Sequence, residues 1–310
     1  MTDATTENNK LGYWESVAQD KNKLGFWFVL PTILLLVFIV AFPLCMQLYL
    51  SVTWWTPLDG DPWYQAYLGF IWLEQYGYVF TDERVWGALW RTGIVLFFAV
   101  PIQFLLGMGL AYLFIDQFVG KKIFYSILLT PMMIVPAVVG LIFYLLFQGT
   151  GPVNDHLGLP PDFSWLTNVS RAMISVIVAD IWQWTPLMFL ILLAGMLGVP
   201  HDQILAGRLL GGSNWQNFIK IILPRMKTVI IIAIVLRTVE CFKIFDLIQI
   251  MTKGGPGIQT ETISMYLYKL TFADFEWAYV AAIGLTVLIA LSILAVMGLN
   301  YMAKAAAANK

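Results

Sequence analysis

Four ionisable residues recur at every third position of one mainly apolar stretch: Arg237, Glu240, Lys243 and Asp246. Residues three apart are neighbours on a helix surface, so each adjacent pair of opposite sign can interact. Three residues advance a helix by only about 300°, and the four charges therefore wind around it instead of forming one column. A charge at the centre of a bilayer costs at least about 2.5–3.5 kcal/mol, which directs such groups toward protein or water and toward partners. Two roles stay open. Arg237 with Glu240 can be a compensated pair that lets a weakly apolar segment insert and dock, while Lys243 and Asp246 can line a polar path. A second cluster, Asp180, Trp182, Gln183, Trp184, Thr185 and Pro186, sets polar groups among aromatic rings. Pro186 removes a backbone hydrogen bond and is expected to open its helix where a ligand could approach.

Residues for bond-making chemistry are sparse. The two histidines, His156 and His201, fall on opposite sides of the membrane in the topology below, and Cys45 and Cys241 both lie in apolar runs, as small core residues do. A nucleotide-binding loop needs a glycine-rich turn ending in Lys and Ser or Thr. Gly254-Gly255-Pro256-Gly257 lacks that ending and reads as a turn. No zinc cluster, hydrolase triad or cofactor site can be assembled, so the chain is not expected to be an enzyme or to hydrolyse ATP.

These residues must be held by elements suited to lipid. Of 310 residues, 59% are hydrophobic and 12% charged, about half the charged share of an ordinary soluble domain. With 18 basic against 19 acidic residues, there is no positive excess to neutralise a phosphate backbone, which excludes nucleic acid as a partner. Spanning about 30 Å of hydrocarbon takes about 20 apolar helical residues. Six stretches qualify, roughly Phe26 to Leu50, Thr92 to Phe114, Ile123 to Phe147, Met173 to Gly198, Thr228 to Met251 and Ala278 to Met302. The fold class is all-α: a polytopic membrane protein with six transmembrane helices, a transmembrane domain over 26–303 and short tails at 1–25 and 304–310. The first stretch has no cleavage pattern and is read as retained.

Six spans place both termini on one side. That side carries Lys10, Lys21, Lys23, Lys121, Lys122, Arg208, Lys220, Arg225, Lys227, Lys304 and Lys310, whereas the opposite loops carry Arg84, Arg171, Lys253 and Lys269. The positive-inside rule then makes both termini cytoplasmic. The long external loop from Ser51 to Gly87 holds Trp54, Trp55, Trp63, Trp72 and Trp86, as interface anchors or a packed cap.

One cytoplasmic segment, 199–227, is too apolar for a simple connector. Pro200 can start a helix through Leu210, Gly211 and Gly212 permit a reversal, and Ser213 can cap a second helix running past Trp215, Phe218 and Ile222 toward Pro224. Local physics leaves resting on the membrane surface and docking to a partner equally open.

The run Leu205, Ala206, Gly207, then Gly211, then Ile221-Ile222-Leu223-Pro224 resembles the cytoplasmic EAA loop of ATP-binding cassette importer permeases. Phe245-Asp246, Thr252-Lys253-Gly254-Gly255-Pro256 and Thr260 are similar to the carbohydrate branch of that family, as are Leu129-Thr130-Pro131 to Pro136 and Gly151-Pro152-Val153-Asn154. The resemblance covers about 86–301 and is to MalF-like sugar and polyol permeases. It implies a type I ABC importer transmembrane domain in a bacterial inner membrane. Its partners would be a second homologous permease, two ATPase subunits, an extracytoplasmic solute-binding protein, a sugar or polyol substrate, and lipid. Leu205, Ala206, Gly207, Arg208, Gly211 and Pro224 become ATPase-coupling residues. Leu205, Gly207 and Leu210 depart from the usual Glu, Ala and Asp of the loop, so docking would rest on apolar shape, with Leu205, Leu209 and Leu210 filling a cleft.

Sugars and polyols combine hydroxyls with an apolar carbon face, which suits polar groups beside aromatic surfaces. By resemblance the substrate pathway lies midway between the third, fourth and fifth spans, at Gly140, Phe143, Tyr144, Trp182, Gln183, Glu240 and Phe242, with Lys243 and Asp246 added from the charge pattern. The aromatic members can equally be packing residues. Rival functions are an ion-coupled secondary transporter or channel, for which no internal repeat is found, a membrane-embedded enzyme, and an importer permease for an organic phosphate, which Arg91, Arg237 and Lys243 leave open.

Overall fold

A computed structural model of the chain describes the backbone of residues 21–307 and the side chains of residues 25–298. The expected tails before residue 21 and after residue 307 lie outside the described residues. Ten helices matter for function: α1 (Lys21–Ser51), α2 (Glu83–Leu113), α3 (Lys121–Met133), α4 (Pro136–Leu146), α5 (Val169–Leu197), α6 (His201–Leu209), α7 (Lys227–Phe242), α8 (Asp246–Met251), α9 (Ile263–Phe272) and α10 (Trp277–Ala307). Among the described residues the only β pairing is a bridge between Thr53 and Phe70.

The chain divides into two compact units. The first, through Tyr76 with 277–285, holds α1 and the start of α10. There the Gln47 amide donates to the Ala281 carbonyl at 3.3 Å, and a Cβ on Gly284 would lie 2.5 Å from Gln47 Nε2. A small residue is therefore what lets the two helices approach. Thr56 and Asp59 form a capping box on a short 3-10 turn, and Trp55 meets Trp277 edge to face. Trp54, Trp63 and Trp72 are exposed.

The second unit, 77–276 with the remainder of α10, is built on α2 packed along α5, with α7 against both. Gly107 makes the first contact possible, since a Cβ there would sit 2.9 Å from the Phe189 backbone nitrogen. Two apolar cores result. One gathers Val95, Ala99, Val139, Phe143, Val176, Leu247 and Ile248; the other gathers Met108, Ala111, Met188, Phe189, Leu192, Phe218 and Met226.

Two expected spans are interrupted. The stretch 123–147 is not one helix: α3 and α4 meet at a 96° bend. Pro136 explains its place, because the residue before a proline is pushed out of the helical region, and Val135 is extended at ψ 134°. The stretch 228–251 breaks after Phe242, so its parts are the 16-residue α7 and the 6-residue α8. The charges at Lys243 and Asp246 flank that break. Pro186 gives the opposite correction: α5 stays continuous across it, so the helix does not open there.

Four helices, α1, α2, α5 and α10, are each long and apolar enough to cross a bilayer, and α3 with α4 makes a fifth candidate. A sixth crossing built from α7 and α8 is compatible with these elements. On α1 none of the side chains in its most apolar window is buried.

Candidate functional site

Between the two apolar cores lies a layer of polar side chains contributed by three helices. Arg237 on α7 is 2% exposed. Its guanidinium donates to Asp180 Oδ2 on α5 and, at 2.8 Å, to Gln103 Oε1 on α2. Gln103 Nε2 closes the triangle by donating to Asp180 Oδ2 at 3.0 Å and to the Asp180 carbonyl at 2.9 Å. The Trp184 ring covers the guanidinium, its centroid 5.4 Å from Cζ, a cation–π contact strengthened by the burial of the charge. Arg237 therefore does not pair with Glu240. Glu240 instead accepts from Lys243 at 3.0 Å, and both side chains are exposed.

Where α7 ends and α8 begins, a cavity of about 180 Å³ opens beside this layer, lined by Asp180, Trp184, Arg237, Glu240, Lys243 and Asp246 together with Pro136 and Ile244 to Leu247. Three members of the expected pathway, Glu240, Lys243 and Asp246, thus meet in one place. Trp184, from the polar and aromatic cluster on α5, joins them. Others lie elsewhere. Trp182 is exposed and touches Phe143 edge to face at 5.5 Å; Phe143 is itself buried in a core. Tyr144 is exposed, and Phe242 is half-buried. Gly140 is a packing residue, since a Cβ on it would sit 3.0 Å from Ile250 Cβ on α8.

Gln183 is fully buried, and its Nε2 donates at 3.1 Å to the Ile134 carbonyl. That carbonyl is freed by the α3–α4 bend, and within lipid such a group must find a partner in the protein. Gln183 therefore holds the broken helix, while its Oε1 is buried without a partner.

The segment 199–227 forms the expected helix, reversal and second helix. Gly211 N–H donates to the Arg208 carbonyl and Gly212 N–H to the Gly207 carbonyl, both at 2.9 Å, the paired bonds of a Schellman motif. Gly211 has φ +83°, the left-handed region that favours glycine. Gly207 and Gly212 are required for space instead: a Cβ would lie 2.3 Å and 3.0 Å from Asn217 Oδ1 respectively. Ser213 caps the next helix in a capping box with Gln216. Phe218 to Ile222 then widens into a π-turn just before Pro224, whose missing N–H interrupts the regular ladder. Ala206, Arg208 and Pro224 are exposed, as are Leu205 at 42% and Leu209 and Leu210 at 89% each.

Residues 83–304 match the family described as binding-protein-dependent transport system inner membrane component. The chain belongs to this family. It is 34% identical over 266 residues to a probable ABC transporter permease protein of Sinorhizobium fredii, covering 83% of each chain. It is 32% identical to the trehalose transport system permease protein SugA of Mycobacterium tuberculosis, over 84% of this chain and 82% of that one. A trehalose/maltose transport system permease protein of Thermococcus litoralis is 30% identical over 70% of this chain and 75% of its own. Among solved structures, a bacterial ABC transporter that imports the acidic polysaccharide alginate superposes with a TM-score of 0.79 at 18% identity, covering 94% of this chain and 98% of that one. This likeness concerns the fold. The protein is thus an ABC importer permease, a membrane component distinct from the ATPase.

Elsewhere in the permease lies a buried carboxylate that no motif or spacing in the sequence marks. Glu261 is fully buried and accepts from Arg84 through two bonds of 2.9 and 3.0 Å and from Lys269 at 2.6 Å. Arg91 donates to its carbonyl at 2.7 Å. Burial alone raises its pKa, but the bonds from Arg84 and Lys269 outweigh that and hold Glu261 below the usual carboxylate range. The cluster ties the start of α2 to the loop containing Thr252 and Thr260, whose hydroxyls lie 2.7 Å apart. The glycine-rich run Gly254 to Gly257 is a turn in that loop. Among the described residues no group of three or more potential metal ligands occurs.

Proposed function

We propose that this permease, paired with a second homologous permease, forms the pathway for a sugar or polyol delivered by an extracytoplasmic binding protein and driven by two ATPase subunits that grip the 199–227 loop. The observation that carries the reading is the cavity at the α7–α8 break, where Trp184 stands beside Glu240, Lys243 and Asp246. An aromatic face and several hydrogen-bonding groups are the combination a hydroxyl-rich solute needs. The trehalose and maltose systems named among the relatives support the same solute class. The exposed Leu205, Leu209 and Leu210 supply an apolar tip on a rigid reversal, suited to insertion in a partner's groove. Six crossings with both termini cytoplasmic place that tip beside the ATPases, and the basic-residue bias supports this orientation.

The test is uptake by vesicles holding the chain with its candidate partners. Transport of a sugar bound by the cognate receptor, dependent on ATP and on that receptor, is the expected result. Uptake driven by an ion gradient without ATP would replace this reading with a secondary transporter.

A further inference from the structure

The cavity at the α7–α8 break has an uneven charge account. Arg237 is held by Asp180 and Gln103, and Lys243 by Glu240. Asp246 is exposed at the start of α8, and among the described residues no hydrogen bond or ion pair engages its side chain. Two neutralised pairs and one unpaired carboxylate leave this lining with a net charge of −1. Nor, among the described residues of this lining, is there a spare cation to receive a phosphate or carboxylate. Of the three candidates, Arg91 lies outside the cavity lining and donates to the Glu261 carbonyl, Arg237 lies under the Trp184 ring, and Lys243 is paired. Asp246 also sits in the first turn of a helix, where it complements the backbone dipole. Its side chain lines the cavity wall.

We infer that Asp246 is a specificity-determining residue, which makes this subunit's share of the pathway accept uncharged polyhydroxylated solutes and repel anionic ones such as sugar phosphates and uronates. This rests on the cavity being part of the pathway. A neutral hydroxyl gains a charge-assisted hydrogen bond from the carboxylate, whereas an anion meets repulsion that no free cation offsets.

The field can be read without knowing the solute. In inner-membrane vesicles carrying the full chain with Cys45→Ser, a reporter thiol is placed on the cavity wall by Phe245→Cys, with Trp184→Cys as a second position. It is treated with a cationic trimethylammonium-ethyl or an anionic sulfonato-ethyl methanethiosulfonate. The background lacking the reporter controls for Cys241. Rates are normalised to those of a free small thiol. The cationic reagent should be favoured by about fivefold, the effect of one charge roughly 8 Å away in a water-like dielectric. Asp246→Asn should bring the ratio close to one, and Asp246→Lys should invert it. A normalised ratio of one, or a ratio that survives Asp246→Asn, overturns the assignment of selectivity while leaving the pathway reading intact. Silence of both reporters toward both reagents removes the pathway reading and this inference with it.

Discussion

Asp180 and Arg237 meet between two helices with Gln103 closing the triangle, so neither charge has bulk water to fall back on. Removing one partner strands the other: Arg237→Ala should cost about 3–5 kcal/mol. Replacing the pair together, as Arg237→Met with Asp180→Leu, should cost much less, and thermal unfolding in detergent distinguishes the two. Equal losses would mean that the charges do not depend on one another. Gln183→Ala leaves the Ile134 carbonyl unsatisfied and should lower stability by about 1–3 kcal/mol, whereas Trp182→Ala, at an exposed ring outside the cavity lining, should cost less than that in the same thermal unfolding and leave assembly intact. The spacing of Arg237, Glu240, Lys243 and Asp246 announced a polar element, but not its pairing. Arg237 takes its partner from a helix 57 residues earlier, and local periodicity carries no information at that distance. An isolated Asp180 in an apolar span was the available signal, since such a carboxylate demands a cation.

Among elements, the α6 reversal was the most legible, because glycine, serine and proline act through local backbone chemistry. Gly211→Val places a branched side chain at φ +83°, a strain of at least about 1–2 kcal/mol. It should uncouple ATP hydrolysis from uptake while the helices around Arg237 stay folded; normal coupling in a variant of normal expression would count against the loop's assigned role. The α3–α4 bend was less legible, since hydropathy sees one apolar run and only Pro136 marks the break. The break before α8 was hidden in the same way, because the charges that flank it were read as features of a continuous helix. The Glu261 cluster was not legible at all, since its three cations come from α2 and α9. Its pH dependence follows from the direction of its shift. With a native pKa below the unfolded value of about 4.3, the carboxylate contributes fully at neutral pH, and its contribution disappears as pH falls through the native value. Stability attributable to it should be flat from pH 8 to about 5 and should fall below about pH 4. Glu261→Gln should abolish that acid limb, as followed by thermal unfolding against pH.

At the scale of the whole molecule, membrane class was legible from composition because lipid permits few solutions: a chain this apolar must satisfy its backbone within helices. Which faces meet lipid and which meet other subunits was not legible, since apolar side chains serve both. Labelling from each side tests the proposed orientation: a cysteine at Trp215 should react only after the cytoplasmic face is opened, and one at Asp59 should react from outside. The bare leucines at 209 and 210 carry a further cost for the cell. On the proposed docking, every copy made in excess of its motor offers an adhesive tip to chaperones and proteases, so the abundance of this subunit should track the supply of its ATPase, and surplus copies should be short-lived.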